Sequence, residues 1–293
     1  MGLPNSLSRL LLEEQPIPFI VGVPRSGTTL LRIILDSHPM LSIPPESHFV
    51  NALIEIDLTD VDNVFQTIIN NPSWIDFGIN IDNQVLFNLL KHYQPLDLGK
   101  IIKITHNSYK ITQNKKYWGD KTPNHLYLME QIQESLPQAH FIHLIRDGRD
   151  VALSLRGKWF GPQDITQQAI FWKDRIIAAR NVAPNLNNYI EIKYEDLILN
   201  TESVLRRILK FINLEFTPEL LRYYERTPKR LSELQGRKFL NISGDDHREI
   251  FKYVYKPPQR SRINRWKREM TKKEQRQFLA VTEDLLLELG YEV

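Results

Sequence analysis

The stretch that most constrains this chain is Phe19-Ile20-Val21-Gly22-Val23-Pro24-Arg25-Ser26-Gly27-Thr28-Thr29-Leu30-Leu31-Arg32-Ile33-Ile34-Leu35-Asp36. It opens on an apolar, β-branched run, crosses a turn rich in Gly, Pro and Ser, and continues with apolar residues at helical spacing. That order predicts a strand, a tight loop and a helix. Such a loop leaves backbone N–H groups unpaired where a helix begins and where its macrodipole adds partial positive charge, so it can cradle a tetrahedral anion.

The spacing of Gly22 and Gly27 fits the nucleotide phosphate loop G-x-x-x-x-G-K-[ST], but Thr28 stands where that motif has Lys. The Lys carries charge to the terminal phosphates of a nucleoside triphosphate, so its absence argues against an ordinary ATP or GTP enzyme. Positive charge comes instead from Arg25 within the loop. A bare pair of glycines here would be an ordinary turn between a core strand and a core helix. Read together, Pro24-Arg25-Ser26-Gly27-Thr28-Thr29-Leu30 resembles the 5′-phosphosulfate loop of sulfotransferases that use 3′-phosphoadenosine 5′-phosphosulfate (PAPS).

A second constellation is Ala139-His140-Phe141-Ile142-His143-Leu144-Ile145-Arg146-Asp147-Gly148-Arg149-Asp150, continuing to Ser154. Residues 139–145 read as a buried parallel strand, and Asp147-Gly148 as the turn into a helix starting near Asp150. Arg146 leaves the strand end and Ser154 lies about one turn into the helix, at the edge of an α/β sheet where ligands bind. A guanidinium and a hydroxyl so placed can clamp one phosphate. Taken alone, Arg-Asp-Gly-Arg is equally a turn making surface ion pairs. Beside the first loop it resembles the 3′-phosphate site of the same family, with Arg146 and Ser154 at the matching positions. His140 and His143 fall on opposite faces of the strand and are read as structural rather than metal ligands.

Three further segments support these two. In Leu41-Ser42-Ile43-Pro44-Pro45-Glu46, two prolines can neither continue a helix nor pair well in a central strand, so Glu46 is expected on a rigid connection beyond a short strand. Trp118-Gly119-Asp120-Lys121-Thr122-Pro123 is expected to lead into a helix over about 124–136, with Lys121 on the entering loop; a lone lysine there would be a solvated surface residue. Tyr189–Leu197 reads as strand and turn, with Tyr194 either in the sheet core or beside a ligand. Residues 164–182 form a long amphipathic helix, 60–70 and 82–93 shorter ones, and 40–115 an elaboration inserted before the next sheet strand. The pattern loosens over 227–267 before an apolar helix at 271–289. Within that stretch, Arg262, Arg265 and Lys267 gather beside Trp266, which taken alone is a solvated basic face.

The resemblance covers residues 17–268. It implies an α/β fold: one domain over 1–293, P-loop NTPase-like, with a central, mostly parallel sheet flanked by helices. It also implies in-line transfer of a sulfuryl group from PAPS to an acceptor hydroxyl, releasing 3′,5′-bisphosphoadenosine, without a metal. On that reading Arg25, Ser26, Gly27, Thr28 and Thr29 hold the 5′-phosphosulfate, Arg25 and Lys121 stabilise the transferring group, Tyr194 lies by the adenine, and Arg262, Arg265 and Lys267 close over the 3′-phosphate. Many cytosolic members carry His directly after Lys-Thr, where this chain has Pro123. Glu46 instead matches the carboxylate base of the protein-tyrosine branch, with His48 and His125 as the other candidates. A carboxylate base is expected to need partial burial to raise its pKa.

Composition bounds the remaining classes. The 293 residues are 42% hydrophobic and 25% charged, ordinary for a globular protein, and the net charge of +3 suits a polyanionic small ligand while implying no nucleic acid. Zero Cys excludes disulfides, thiol nucleophiles and Cys-ligated metals. No transmembrane segment or signal peptide is evident, so a cytoplasmic enzyme is expected. The acceptor stays open among small molecule, lipid, sugar and peptide tyrosine. A phosphate-loop kinase and a non-catalytic nucleotide-binding module are the rival classes.

Overall fold

The computed structural model of the protein describes residues 15–158, 160–231 and 253–293. Four parallel strands form the main sheet in the order β4-β1-β5-β6: β1 (Ile17–Val21), β4 (Asp120–Lys121), β5 (Ala139–Ile145) and β6 (Tyr189–Lys193). A second, two-stranded parallel pair joins β2 (Leu41–Ser42) to β3 (Tyr117–Trp118). The α/β fold with a parallel central sheet expected from the sequence is the one found.

Alternation along the strands decides which core each side chain enters. Phe19 and Val21 of β1, with Phe141 of β5, face a cluster that contains Phe49, Trp74, Phe77, Ile101 and Tyr109. Ile20, Ile142 and Leu144 face the other side, against Leu31, Ile34 and Leu35 of the helix Thr28–Asp36 and against Leu205 and Tyr223. Both faces are covered, as parallel sheets require. A third cluster links Val23 and Ile145 to Trp172 of the helix Ile165–Val182 and Phe278 of the helix Lys272–Glu288.

The elaboration between β2 and β3 is helical and supplies much of the first core. Its helices Val61–Ile69 and Asn83–His92 match expectation, each started by an Asp side chain that accepts from first-turn N–H groups. The helix Leu98–Thr112, capped by Asp97, is one the sequence pattern does not announce.

Several expectations need correcting. Lys121 is not on a loop: it closes β4, which pairs with β1 through Phe19–Asp120 and Ile20–Lys121. The helix over 124–136 is broken into a 3-10 turn, Pro123–Tyr127, and an α-helix, Met129–Ser135. Tyr194 begins a helix, Tyr194–Leu199, within the stretch that the sequence reads as strand and turn. The helix after β5 starts at Gly148, and Ser154 is one residue from its C-terminal end. Residues 232–252, within the 227–267 stretch expected to close over the ligand, lie outside the described residues, as do residues 1–14. Among the described residues no helix is long and apolar enough to cross a membrane.

Candidate active site

The sheet delivers the site. Four adjacent strands end side by side, and each carries a predicted site group at its C-terminal end: Lys121 closes β4, the Gly22–Gly27 loop leaves β1, Arg146 leaves β5 and Tyr194 leaves β6. Ligands of open parallel sheets bind at this edge.

The loop is built for close approach. Gly22 has φ +150°, and a Cβ there would lie 2.6 Å from the Leu144 carbonyl oxygen. Gly27 caps the Thr28–Asp36 helix at φ +100°, and a Cβ would lie 2.5 Å from the Tyr194 ring. No side chain caps that helix and no acidic residue stands in its first turn, so its N–H groups face outward with the positive end of the dipole. Arg25 also holds a positive φ, +77°, a conformation that costs a non-Gly residue roughly 1–3 kcal/mol and clusters at functional sites.

On one side of the loop, cations converge. Arg25 Nε donates to Ser154 Oγ at 3.0 Å, and Arg146 Nη1 donates to the Arg25 carbonyl at 3.2 Å. The Arg146 guanidinium is 3% exposed, lies 4.4 Å over the Tyr194 ring, and donates through Nη2 to the Arg262 carbonyl at 2.7 Å. Asp150 supports it from one turn along at 3.7 Å, and Trp172 Nε1 donates to its carbonyl. Burial, with the like charges of Arg265 and Arg146, pulls the Arg262 guanidinium below its ordinary pKa. Arg262 itself lies 4.1 Å over Tyr253. Arg265 pairs with Glu269, and Lys267 pairs with Glu292 at the exposed C-terminal end.

On the other side, Lys121 Nζ pairs with Glu46 and donates to Thr29 Oγ1 at 3.4 Å, tying three predicted residues into one group. His48 Nε2 contacts the other Glu46 oxygen at 2.8 Å. Desolvation pushes the Glu46 carboxyl up, but the Lys121 ammonium and the His48 hydrogen bond outweigh it and hold the carboxyl well below the usual range. The raised pKa expected of a base is therefore reversed by a partner that the sequence spacing does not announce. Burial in turn lowers the Lys121 ammonium against the pull of Glu46, and the Arg32 charge adds to the lowering. His125 is fully buried with Nδ1 3.0 Å from Asp120, which removes it from the surface an acceptor can reach.

Some residues at this site escape a reading of the sequence. Arg32 is 2% exposed, donates through Nε to the Ile43 carbonyl at 3.0 Å and leaves Nη2 without a hydrogen bond. A lone cation amid Leu30, Leu31, Ile33 and Ile34 is the signal that could have found it. Asp120, with His106 Nε2 at 3.1 Å, lies behind Lys121; burial pushes its carboxyl up, but the flanking histidines hold it well below the ordinary value. Among the described residues no group of three or more His, Asp or Glu is arranged to hold a metal ion.

An anion carrying separate phosphate groups fits these donors. Ser26 Oγ is buried without a hydrogen-bond partner, the loop helix is uncapped, the loop's own Arg25 is joined by Arg146 and Lys121, and Arg262 stands near enough to Arg146 for their charges to repel.

The family model described as "Sulfotransferase family" matches residues 16–218. An uncharacterized protein of Aquifex aeolicus is 27% identical over 77% of this chain and 29% of its own length. Protein-tyrosine sulfotransferase A of Caenorhabditis elegans is 25% identical over 75% of this chain and 56% of its own, so the chain spans well under two thirds of either relative. Among solved structures, the sulfotransferase domain of the Synechococcus PCC 7002 olefin synthase shares the fold at a TM-score of 0.61 and 20% identity, covering 95% of each chain.

Proposed function

This chain belongs to the sulfotransferase family, and from that premise we propose that it moves a sulfuryl group from PAPS to an acceptor hydroxyl. The donor supplies an activated sulfur: the acceptor oxygen bonds to it as the bond to the bridging phosphate oxygen breaks, leaving 3′,5′-bisphosphoadenosine. The acceptor's proton passes to Glu46.

The observation that carries this reading is that the loop reaches both sides of the site, one through Thr29 and the other through Arg25. The Arg25 carbonyl accepts from Arg146 and its side chain donates to Ser154, while Thr29 of the same loop meets Lys121. Two groups of cations and hydroxyls on the two sides of one loop suit a nucleotide charged at both its 5′ and 3′ positions. On this assignment Ser26, Gly27, Thr28 and Thr29 hold the 5′ end, and Arg146 and Ser154, with Arg262, hold the 3′-phosphate. Tyr194 is buried against Gly27 with the Arg146 guanidinium over its ring, which favours the sheet-core reading of it over a place beside the base.

Charge in such a transfer builds on the leaving oxygen and the equatorial oxygens, so fixed cations do most of the work. Lys121 and Arg25 supply them. Glu46 is ionised and able to accept a proton, and it becomes a stronger base as Lys121 is drawn away from it. The Caenorhabditis relative puts peptide tyrosine first among acceptors to try, ahead of sugar, lipid and small alcohols.

Two measurements test the reading. Calorimetry is expected to show 3′,5′-bisphosphoadenosine binding more tightly than ATP, with or without Mg²⁺; Mg-dependent preference for ATP would establish a kinase instead. With sulfur-labelled PAPS, label is expected to appear in one acceptor class of the panel. Tight nucleotide binding with no transfer to any acceptor would leave a binding module.

A further inference from the structure

The two groups at the transfer side each have a chain neighbour buried behind them. Ser47 comes directly after Glu46, and Asp120 directly before Lys121. Both neighbours are buried, and Ser47 Oγ donates to Asp120 Oδ2. The Ser47 N–H donates to Thr122 Oγ1 at 2.8 Å, so the tie is double. The Asp120 carboxylate is itself fixed by His106 at 3.1 Å and lies 3.0 Å from His125.

The far end of the same segment is also held. Asp36 Oδ1 accepts from the Ile43 N–H at 2.8 Å, and Arg32 Nε donates to the Ile43 carbonyl at 3.0 Å, both from the loop helix. Pro44 and Pro45 lie between the two anchors, with φ fixed by their rings. The segment that carries Glu46 is a strut clamped at Ile43 to the phosphate loop's helix and at Ser47 to the strand that carries Lys121.

We propose that Asp120, acting through Ser47, is a positioning residue that sets Glu46 against Lys121 and so fixes where the acceptor's proton is received. This rests on the reading of Glu46 as the base. The physical ground is that Glu46 and Lys121 are 75 positions apart and share no secondary-structure element, so their separation is fixed only by what ties their backbones together. Misplacing a reacting group by about 1 Å costs on the order of 10²-fold in rate.

The test is a mutant cycle. Ser47→Ala and Asp120→Asn are each made in the natural chain and in the Glu46→Gln background, with turnover, the KM for PAPS and calorimetric affinity for 3′,5′-bisphosphoadenosine measured. Turnover is expected to fall roughly 10–100-fold in the natural background. Nucleotide affinity should stay put, since the loop and Arg146 do not depend on the tie, and the same changes should cost under about 3-fold once Glu46 is Gln. Equal losses in both backgrounds, or a matching rise in the PAPS KM, would make Asp120 a core-stabilising residue and overturn the proposal. Near-normal turnover of Glu46→Gln alone would overturn the base assignment and this proposal with it; a large Glu46→Gln defect with additive Ser47→Ala overturns only this one. Should Asp120→Asn fail to fold, Ser47→Ala decides by itself, because it leaves Asp120 and both histidines in place.

Discussion

Arg25, Arg146 and Ser154 converge on one side of the loop from two contiguous stretches, each a strand, a turn and a helix. Glu46 and Lys121 meet on the other side across 75 positions, one on a proline strut and one on an edge strand. The first pocket is set by local geometry: a chain that turns from strand to helix must present its loop N–H groups and the residue at the strand end at the same edge. The second exists because β4 pairs with β1 and because Ser47 is tied to Asp120. On the proposed function, binding is thus invested in the part of the fold that local sequence dictates, and proton transfer in the part that tertiary packing assembles. If so, damage to the two pockets should separate cleanly into affinity and turnover.

The largest expected effect is on the assembled side. Glu46→Gln should lower turnover by ~10²–10⁴-fold, the usual span for removal of a general base, with nucleotide affinity little changed; a parallel loss of affinity in calorimetry would dissolve the distinction between the pockets. Lys121→Met should cost ~10²–10³-fold, the scale of one lost charge-stabilising donor. It also carries a pH signature. The base works only while deprotonated, so activity falls as pH drops through the Glu46 pKa. Lys121 holds that pKa down. Its removal must shift the acidic limb of the pH–rate profile to higher pH, and an unmoved limb would show that some other group titrates.

Smaller effects should come from the locally encoded side. Arg146→Ala should weaken 3′,5′-bisphosphoadenosine by roughly 10–100-fold, the worth of hydrogen bonds to a charged group. Adenosine 5′-phosphosulfate, which lacks the 3′-phosphate, should be affected far less; equal weakening of both in a titration would move Arg146 away from that phosphate. The smallest effect is expected at Lys267, whose partner Glu292 is exposed. A surface pair of this kind is worth about 0–1 kcal/mol, so Lys267→Ala should change nucleotide affinity by less than about 5-fold. A larger loss would place Lys267 with Arg262 at the closing segment.

The contrast also explains what is legible before folding. Gly22 and Gly27 are legible because few residues tolerate positive φ and close backbone approach, so the pattern is strict and short, and Arg25 is legible as the charge within that loop. Arg146 is legible because a buried strand ending directly in a guanidinium leaves that charge at the sheet's edge. The prolines place Glu46 correctly on a stiff connection, yet they say nothing true of its carboxyl's state. A pKa depends on what stands within a few ångströms, and Lys121 approaches from a different strand. The sequence pattern puts Lys121 on a loop for a related reason: β4 is two residues long, too short for alternation to register.

The sequence by itself determined the strand–loop–helix units, the edge at which their charges appear, and the family to which they belong, because each of these is a property of neighbouring residues. Only the tertiary structure decided that Glu46 is paired, that Asp120 and Ser47 stand behind the pair, and that Arg32 lies buried beside it. Those are contacts between segments far apart in the chain, and their energies depend on distance and desolvation, which no spacing in a sequence records.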